Sequence, residues 1–150
     1  MFEKIIVTLD GSRLAEEALE PAFDLAQAFE GEVILLRVVM VEEAAVAAGM
    51  GVTYYDIREA IEKHGLEEAE AYLKSIEAQW RSKRVRIRSE AVPGTPAEMI
   101  VETAKRLGAG VIVMSTHGRS GLGRLIYGSV AEAVLRAAIA PVLLIPVKVR

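Results

Sequence analysis

The chain has 150 residues, 52% of them hydrophobic, and a formal net charge of −3, which suits one domain over residues 1–150 able to bury roughly 68–70% of its unfolded surface. Charges of both signs are spread along it, so no basic footprint marks nucleic acid as a partner, and the absence of cysteine excludes disulfides, thiolate catalysis and cysteine-ligated zinc. No apolar run approaches the ~18 residues of a membrane span and the first residues do not resemble an export signal, so a soluble, cytoplasmic domain is expected.

The first element is "KIIVTL" (4–9), a short β-branched run ended by Asp10 and Gly11. Such a run between turn residues suits a strand buried on both faces. A helix is expected from Ser12 to about Phe29, with Leu14, Ala18, Leu19, Ala22, Leu25, Ala26 and Phe29 on one face and Gly31 as its stop. "EVILLRVV" (32–39) reads as the second strand, interrupted by Arg37. The segment 40–57 is too long and too apolar for an ordinary connection, and is expected to be a lid or a partner surface. A long charged helix follows over 57–82, with His64 on its solvated side and Trp80 packing at its end. In the third strand, "VRIRSEAV" (85–92), Arg84, Arg86 and Arg88 alternate with Val85 and Ile87, as expected of a sheet edge. Thr95, Pro96 and Glu98 predict a capped helix start, with a capping box, and Gly108 its end. "GVIVMS" (110–115), a helix over 129–139 and "PVLLIPV" (141–147) complete the chain.

This alternation predicts an α/β fold, a doubly wound parallel sheet of five strands with helices on both faces. An edge at strand three and uniformly apolar strands one and four give the order 3-2-1-4-5, with the reversal between strands one and four. Ligands of such sheets sit outside the carboxyl ends of the strands at that reversal. Asp10-Gly11-Ser12 ends strand one, and "STHGRSGLGRLIYGS" (115–129) follows from strand four.

The late block is built to hold an anion. Gly118, Gly121, Gly123 and Gly128 let backbone N–H groups approach closely, Ser129 opens a helix whose dipole favours negative charge, and Arg119 and Arg124 add cations. Ser129-Val130-Ala131-Glu132 is also a capping box in its own right, so Ser129 has a structural reading beside the binding one. Asp10 likewise has a rival reading as the cap of the following helix. Neither GxxxxGK[ST] nor GxGxxG is present, which disfavours a P-loop NTPase or an ordinary dinucleotide site. His117 has no second histidine or cysteine near it to make a metal site.

Asp10, the block "STHGRSGLGRLIYGS" and the closing "PVLLIPV" together resemble the universal stress protein family along essentially the whole chain. The nucleotide-binding branch of that family carries G-x2-G-x9-G-[ST] after strand four. Here Gly118 is the second glycine, nine residues follow, and Gly128-Ser129 completes the pattern, while Ser115 stands at the first position. The resemblance implies ATP as ligand, held by Asp10, Val38, Val39, Ser115, His117, Gly118, Arg119, Gly121, Gly128, Ser129 and Val130. It puts the ribose or a phosphate-bound Mg or Mn ion at Asp10, and adenine at the backbone near Val38 and Val39. It further implies a stress-response role and a homodimer through the last strand (142–147), whose Val142, Leu143, Leu144, Ile145 and Val147 are unusually apolar for an edge. With one carboxylate near the glycines, nucleotide-dependent regulation without efficient turnover is expected. Slow ATP hydrolysis and a nucleotide-free, chaperone-like dimer stay open beside it.

Overall fold

In the computed structural model residues 1–40, 54–116 and 128–147 are described. The strands are β1 (Lys4–Thr8), β2 (Glu32–Val39), β3 (Arg86–Pro93), β4 (Val111–Ser115) and β5 (Val142–Ile145). All described pairings are parallel and the order is β3-β2-β1-β4-β5, as expected. The helices are α1 (Arg13–Glu16), α2 (Leu19–Phe29), α3 (Tyr54–Trp80), α4 (Pro96–Leu107) and α5 (Ser129–Ala137).

The alternation of side chains along each strand divides the core in two. Ile5, Val7, Val33, Leu35, Val111 and Val113 join α1, α2 and α3 in one layer, where Phe23 stacks on Trp80 with ring centroids 4.7 Å apart. Ile6, Ile34, Leu36, Ile112 and Met114 join α4 and α5 in the other. Central strands must be apolar where they are buried on both faces, and β1, β2 and β4 are so over Ile5–Val7, Val33–Leu36 and Val111–Met114. The edge strand β3 instead leaves Arg86 and Arg88 exposed, and Arg88 reaches Glu32 at 3.1 Å.

Local details depart from the sequence expectations for identifiable reasons. The helix expected over 12–29 breaks at Glu17 and Ala18, whose N–H groups turn back to Leu14 and Ala15. Pro21 accounts for the break, since it has no N–H for the Glu17 carbonyl. Ser12 caps α1, accepting from the Ala15 N–H at 3.2 Å. The residue that ends α2 in a left-handed conformation is Glu30, φ 53°, not Gly31. Gly31 is needed for another reason: a Cβ there would lie 2.5 Å from the Phe2 carbonyl oxygen.

α3 begins at Tyr54, earlier than expected, and a short 3-10 turn over Arg81–Lys83 follows it. Arg84, at φ 57°, ends that turn, so β3 starts only at Arg86. Thr95 occupies the cap position of α4 with extended backbone, but its side chain makes no capping bond and the box with Glu98 does not form. Both side chains lie exposed, a position at which solvent can satisfy the first N–H groups of a helix without a box. Gly108 ends α4 at φ 65°, as expected. The second predicted box is also absent: Gly128 is the cap of α5, at φ 77° and ψ 150°, and Ser129 is the first helical residue with no capping bond. Ala138, at φ 50°, ends α5 before Ile139, and β5 is trimmed to 142–145.

Candidate functional site

The reversal between β1 and β4 opens a cleft of about 250 Å³ on the α4/α5 side of the sheet. Its floor is Leu36 and Val38 of β2 and Met114 of β4; its walls are Pro96 and Ile100 of α4 and Val130 and Ala131 of α5. Thr8, Leu9 and Asp10 close it from β1, Ser115 from β4, and Met40 stands at the end of β2. The centre is thus apolar, with the oxygen-bearing side chains of Thr8, Asp10 and Ser115 at one side, an arrangement that suits a ligand with an apolar body and a polar tail.

Of the residues singled out in the sequence, Asp10, Val38, Ser115 and Val130 line this cleft. Gly128 and Ser129 form the start of α5, of which Val130 and Ala131 reach the cleft wall. Val39 is turned away, since its side chain packs against Gly65 of α3 and its carbonyl accepts from the Gly94 N–H at 3.0 Å. His117, Gly118, Arg119, Gly121, Gly123 and Arg124 lie outside the described residues, as does 41–53, the greater part of the expected lid.

The difference between Val38 and Val39 follows from register. Along a strand, N–H and C=O of one residue point to the same side and the side alternates. The Leu9 N–H donates to the Leu36 carbonyl at 2.8 Å, so Leu36 faces β1, and Val38 faces the same way. β1 has ended by then, at Thr8 opposite Leu36. Val38 therefore directs one donor and one acceptor into the space beyond it.

The β1–α1 turn is braced from the other side of the sheet. The Asp10 carboxylate accepts from the Ser12 N–H at 2.9 Å, an Asx turn, while the helix cap itself is Ser12. Gly11 sits at φ 86°, and a Cβ there would lie 3.1 Å from the Arg37 guanidinium. That guanidinium lies 5.0 Å from the centroid of the Tyr72 ring, which supplies the partner that the sequence left unnamed. The Tyr72 hydroxyl oxygen is buried without a hydrogen-bond partner among the described residues. Burial, and then the nearby Glu16 carboxylate, push its pKa up to about 12.

After β4 the chain divides its attention. Thr116 donates its N–H to the Ile145 carbonyl at 2.9 Å and accepts from the Val147 N–H at 3.1 Å, tying the end of β4 to β5, whereas Ser115 is left to the cleft. His64 lies exposed as expected, with Glu68 at 3.4 Å one turn on. Among the described residues no group of three or more His, Asp or Glu side chains could hold a metal, and no helix is long and apolar enough to cross a membrane. Met40, Pro96, Ile100 and Ala131 were not expected as cleft residues. Met40 follows the carboxyl end of β2, and Pro96 and Ala131 lie in the first turns of α4 and α5, whereas Ile100 lies further along α4 and carries no such signal.

A family model described as the universal stress protein family matches residues 1–146. The universal stress protein MJ0531 of Methanocaldococcus jannaschii is 36% identical over 145 residues, 97% of this chain and 82% of its own length. The structure of MJ0577, from the same organism, superposes with a TM-score of 0.84 at 28% identity, covering 100% of this chain and 99% of the other. A family protein of Arabidopsis thaliana, solved with AMP bound, shares the fold at a TM-score of 0.63 and 16% identity, over 95% and 90% of the two chains. Strand order, the cleft at the sheet reversal and a match over nearly the whole length agree: the chain belongs to the universal stress protein family.

Proposed function

We propose that the chain is an adenine-nucleotide-binding regulatory module whose ligand is ATP. The observation that carries this reading is the cleft itself, an apolar slot beyond which Val38 directs an N–H and a C=O side by side, neither paired among the described residues. A purine base held between Ile100 and Met114 would meet that pair along its edge, and the adenine amino group would donate to the Val38 carbonyl. Asp10 then lies towards the ribose, and the first turn of α5 towards the phosphates, where Gly128 and Ser129 present N–H groups at the positive end of the helix. The AMP held by the Arabidopsis relative is consistent with this class of ligand.

Asp10 is the only carboxylate among the described residues that line the cleft. One carboxylate can touch a Mg or Mn ion that the phosphates bring with them, but cannot hold it alone. The same scarcity argues against efficient phosphoryl transfer, which needs positioned metal ligands and a group to orient the nucleophile. Hydrolysis is therefore expected far below the 1–100 s⁻¹ or so of dedicated kinases.

We further read β5 as a dimer contact. Leu143 is 38% exposed, and Leu135 and Ile139 of the adjoining α5 region are exposed with it. Pairing with a second copy about a two-fold axis would satisfy both edges with one patch. Heating the purified protein, identifying the small molecules released, and then titrating the emptied protein with ATP and GTP by calorimetry tests the reading. ATP or ADP in the extract and a preference for ATP are expected. An extract without nucleotide, together with no heat at millimolar ATP, would overturn it.

A further inference from the structure

Val33 and Leu35 place the odd-numbered side chains of β2 in the α2/α3 layer, and the alternation of a strand carries the half-buried Arg37 to that same face. Its neighbour Val38 belongs to the opposite face and lines the cleft. A cation that leaves water among apolar side chains needs partners to offset its desolvation. Arg37 finds them in a turn and a ring.

Nη2, Cζ and Nη1 of Arg37 stand 3.1, 3.2 and 3.3 Å from the point that a Cβ on Gly11 would occupy. Distances so nearly equal mean that the face of the guanidinium, not an edge, is laid against the β1–α1 turn. Cζ is also 5.0 Å from the centroid of the Tyr72 ring, so one planar cation joins that turn to α3. Two carboxylates share the neighbourhood: after burial, Glu16 and then Asp10 hold the Tyr72 pKa up, while Arg37 pulls it down.

The turn has little support from its own chain. α1 is only four residues long, Arg13–Glu16, and the chain breaks again at Glu17 and Ala18. Gly11, at φ 86°, has the backbone freedom to leave its conformation. Against that freedom stand the Asx turn, in which the Asp10 carboxylate accepts from the Ser12 N–H at 2.9 Å, and the guanidinium beneath it.

We propose that Arg37 is a positioning residue for the cleft: by bracing Gly11 from the α3 side it sets the turn from which Asp10 reaches the ribose hydroxyls. The preference for a ribonucleotide is thus fixed by a side chain on the face of the sheet away from the ligand. This inference rests on the adenine-nucleotide reading of the cleft and adds to it a residue that does not touch the nucleotide.

The test compares ATP with 2′,3′-dideoxy-ATP by calorimetry on the parent, Arg37→Ala and Arg37→Lys proteins. In the parent, loss of the two hydroxyls should weaken binding about tenfold or more, as expected for hydrogen bonds to a carboxylate. Arg37→Ala should weaken ATP by a similar factor and leave the dideoxy analogue unchanged, so that the preference disappears. Arg37→Lys should lose it too, because an ammonium keeps the charge but cannot lie flat against turn and ring. Without any nucleotide, amide exchange at Ser12, followed by NMR, should quicken in both variants. Arg37→Lys keeps the charge and most of the volume, and it carries the test if Arg37→Ala does not fold. A folded variant of either kind that weakens both nucleotides equally, or that keeps the parent's preference and its Ser12 protection, overturns the proposal while leaving the nucleotide reading intact. A parent that binds both nucleotides alike removes Asp10 from the ribose and the proposal with it, and a parent that binds neither overturns the nucleotide reading itself.

Discussion

Ser129→Ala separates the two readings of the late glycine block. If Ser129 capped α5, its loss would cost about 1 kcal/mol, a fall in Tm of about 2–4 °C for a chain of this size. In the structure Gly128 is the cap and the Ser129 side chain makes no capping bond. Alanine is in addition a slightly better helix former than serine. The nucleotide-free variant is therefore expected to melt within about 1 °C of the parent in a thermal scan followed by circular dichroism. Binding should respond very differently. A hydroxyl donating to a phosphate makes a charge-assisted bond, with a net contribution of about 1.5–3 kcal/mol, so calorimetry should find ATP weakened by about 10- to 150-fold. The reverse pattern, a Tm several degrees lower with ATP affinity intact, would show that Ser129 serves the helix and not the ligand.

Gly128→Ala should behave in the opposite sense: φ 77° with ψ 150° is a conformation that side chains resist, at a cost of about 1–3 kcal/mol, visible as a Tm lower by roughly 2–12 °C. For assembly, Leu143→Lys should shift sedimentation equilibrium towards monomer with Tm kept. Leu144→Lys should unfold the domain, because Leu144 packs into the α4/α5 core whereas Leu143 does not. Tyr72 has its pKa raised from 10.0 to about 12 by burial first and by Glu16 second. The unfolded chain loses that proton more readily, so the stabilisation is present below about pH 10 and is lost as pH rises towards 12. Tyr72→Phe should flatten this alkaline decline in denaturant melts, while an unchanged slope between pH 10 and 12 would assign the decline to other groups.

Much of the architecture was legible because parallel strands buried on both faces have to be apolar throughout, and because the alternating arginines could only belong to an edge. The place of the cleft followed from that order. Its lining did not follow, since Met40, Ile100 and Ala131 come together from three different elements and no periodicity records such a convergence. Val38 and Val39 look equivalent in the sequence, and only the register with β1 and β3 decides which of them faces the cleft. Capping motifs misled for a related reason: Ser129-Val130-Ala131-Glu132 and Thr95-Pro96-Ala97-Glu98 have the right residues, but whether a side chain turns back depends on the backbone entering the helix. Pro21, by contrast, carried a usable signal, as a proline in the expected helix 12–29 marks a break about four residues before it.

The central strand is also the first to be made, and this imposes an order on biosynthesis. β1 finds one neighbour in β2 within a few tens of residues, but its other neighbour is β4, with Val7 in register with Val113. At the usual pace of about 5–20 residues per second on the ribosome, one side of β1 waits on the order of 5–20 s for its partner. Through that interval a nascent chain carries an open strand flanked by Ile5, Ile6 and Val7. The ribosome-bound stage, more than the finished protein, is where this sequence is most exposed to misassociation and where a chaperone would have something to hold.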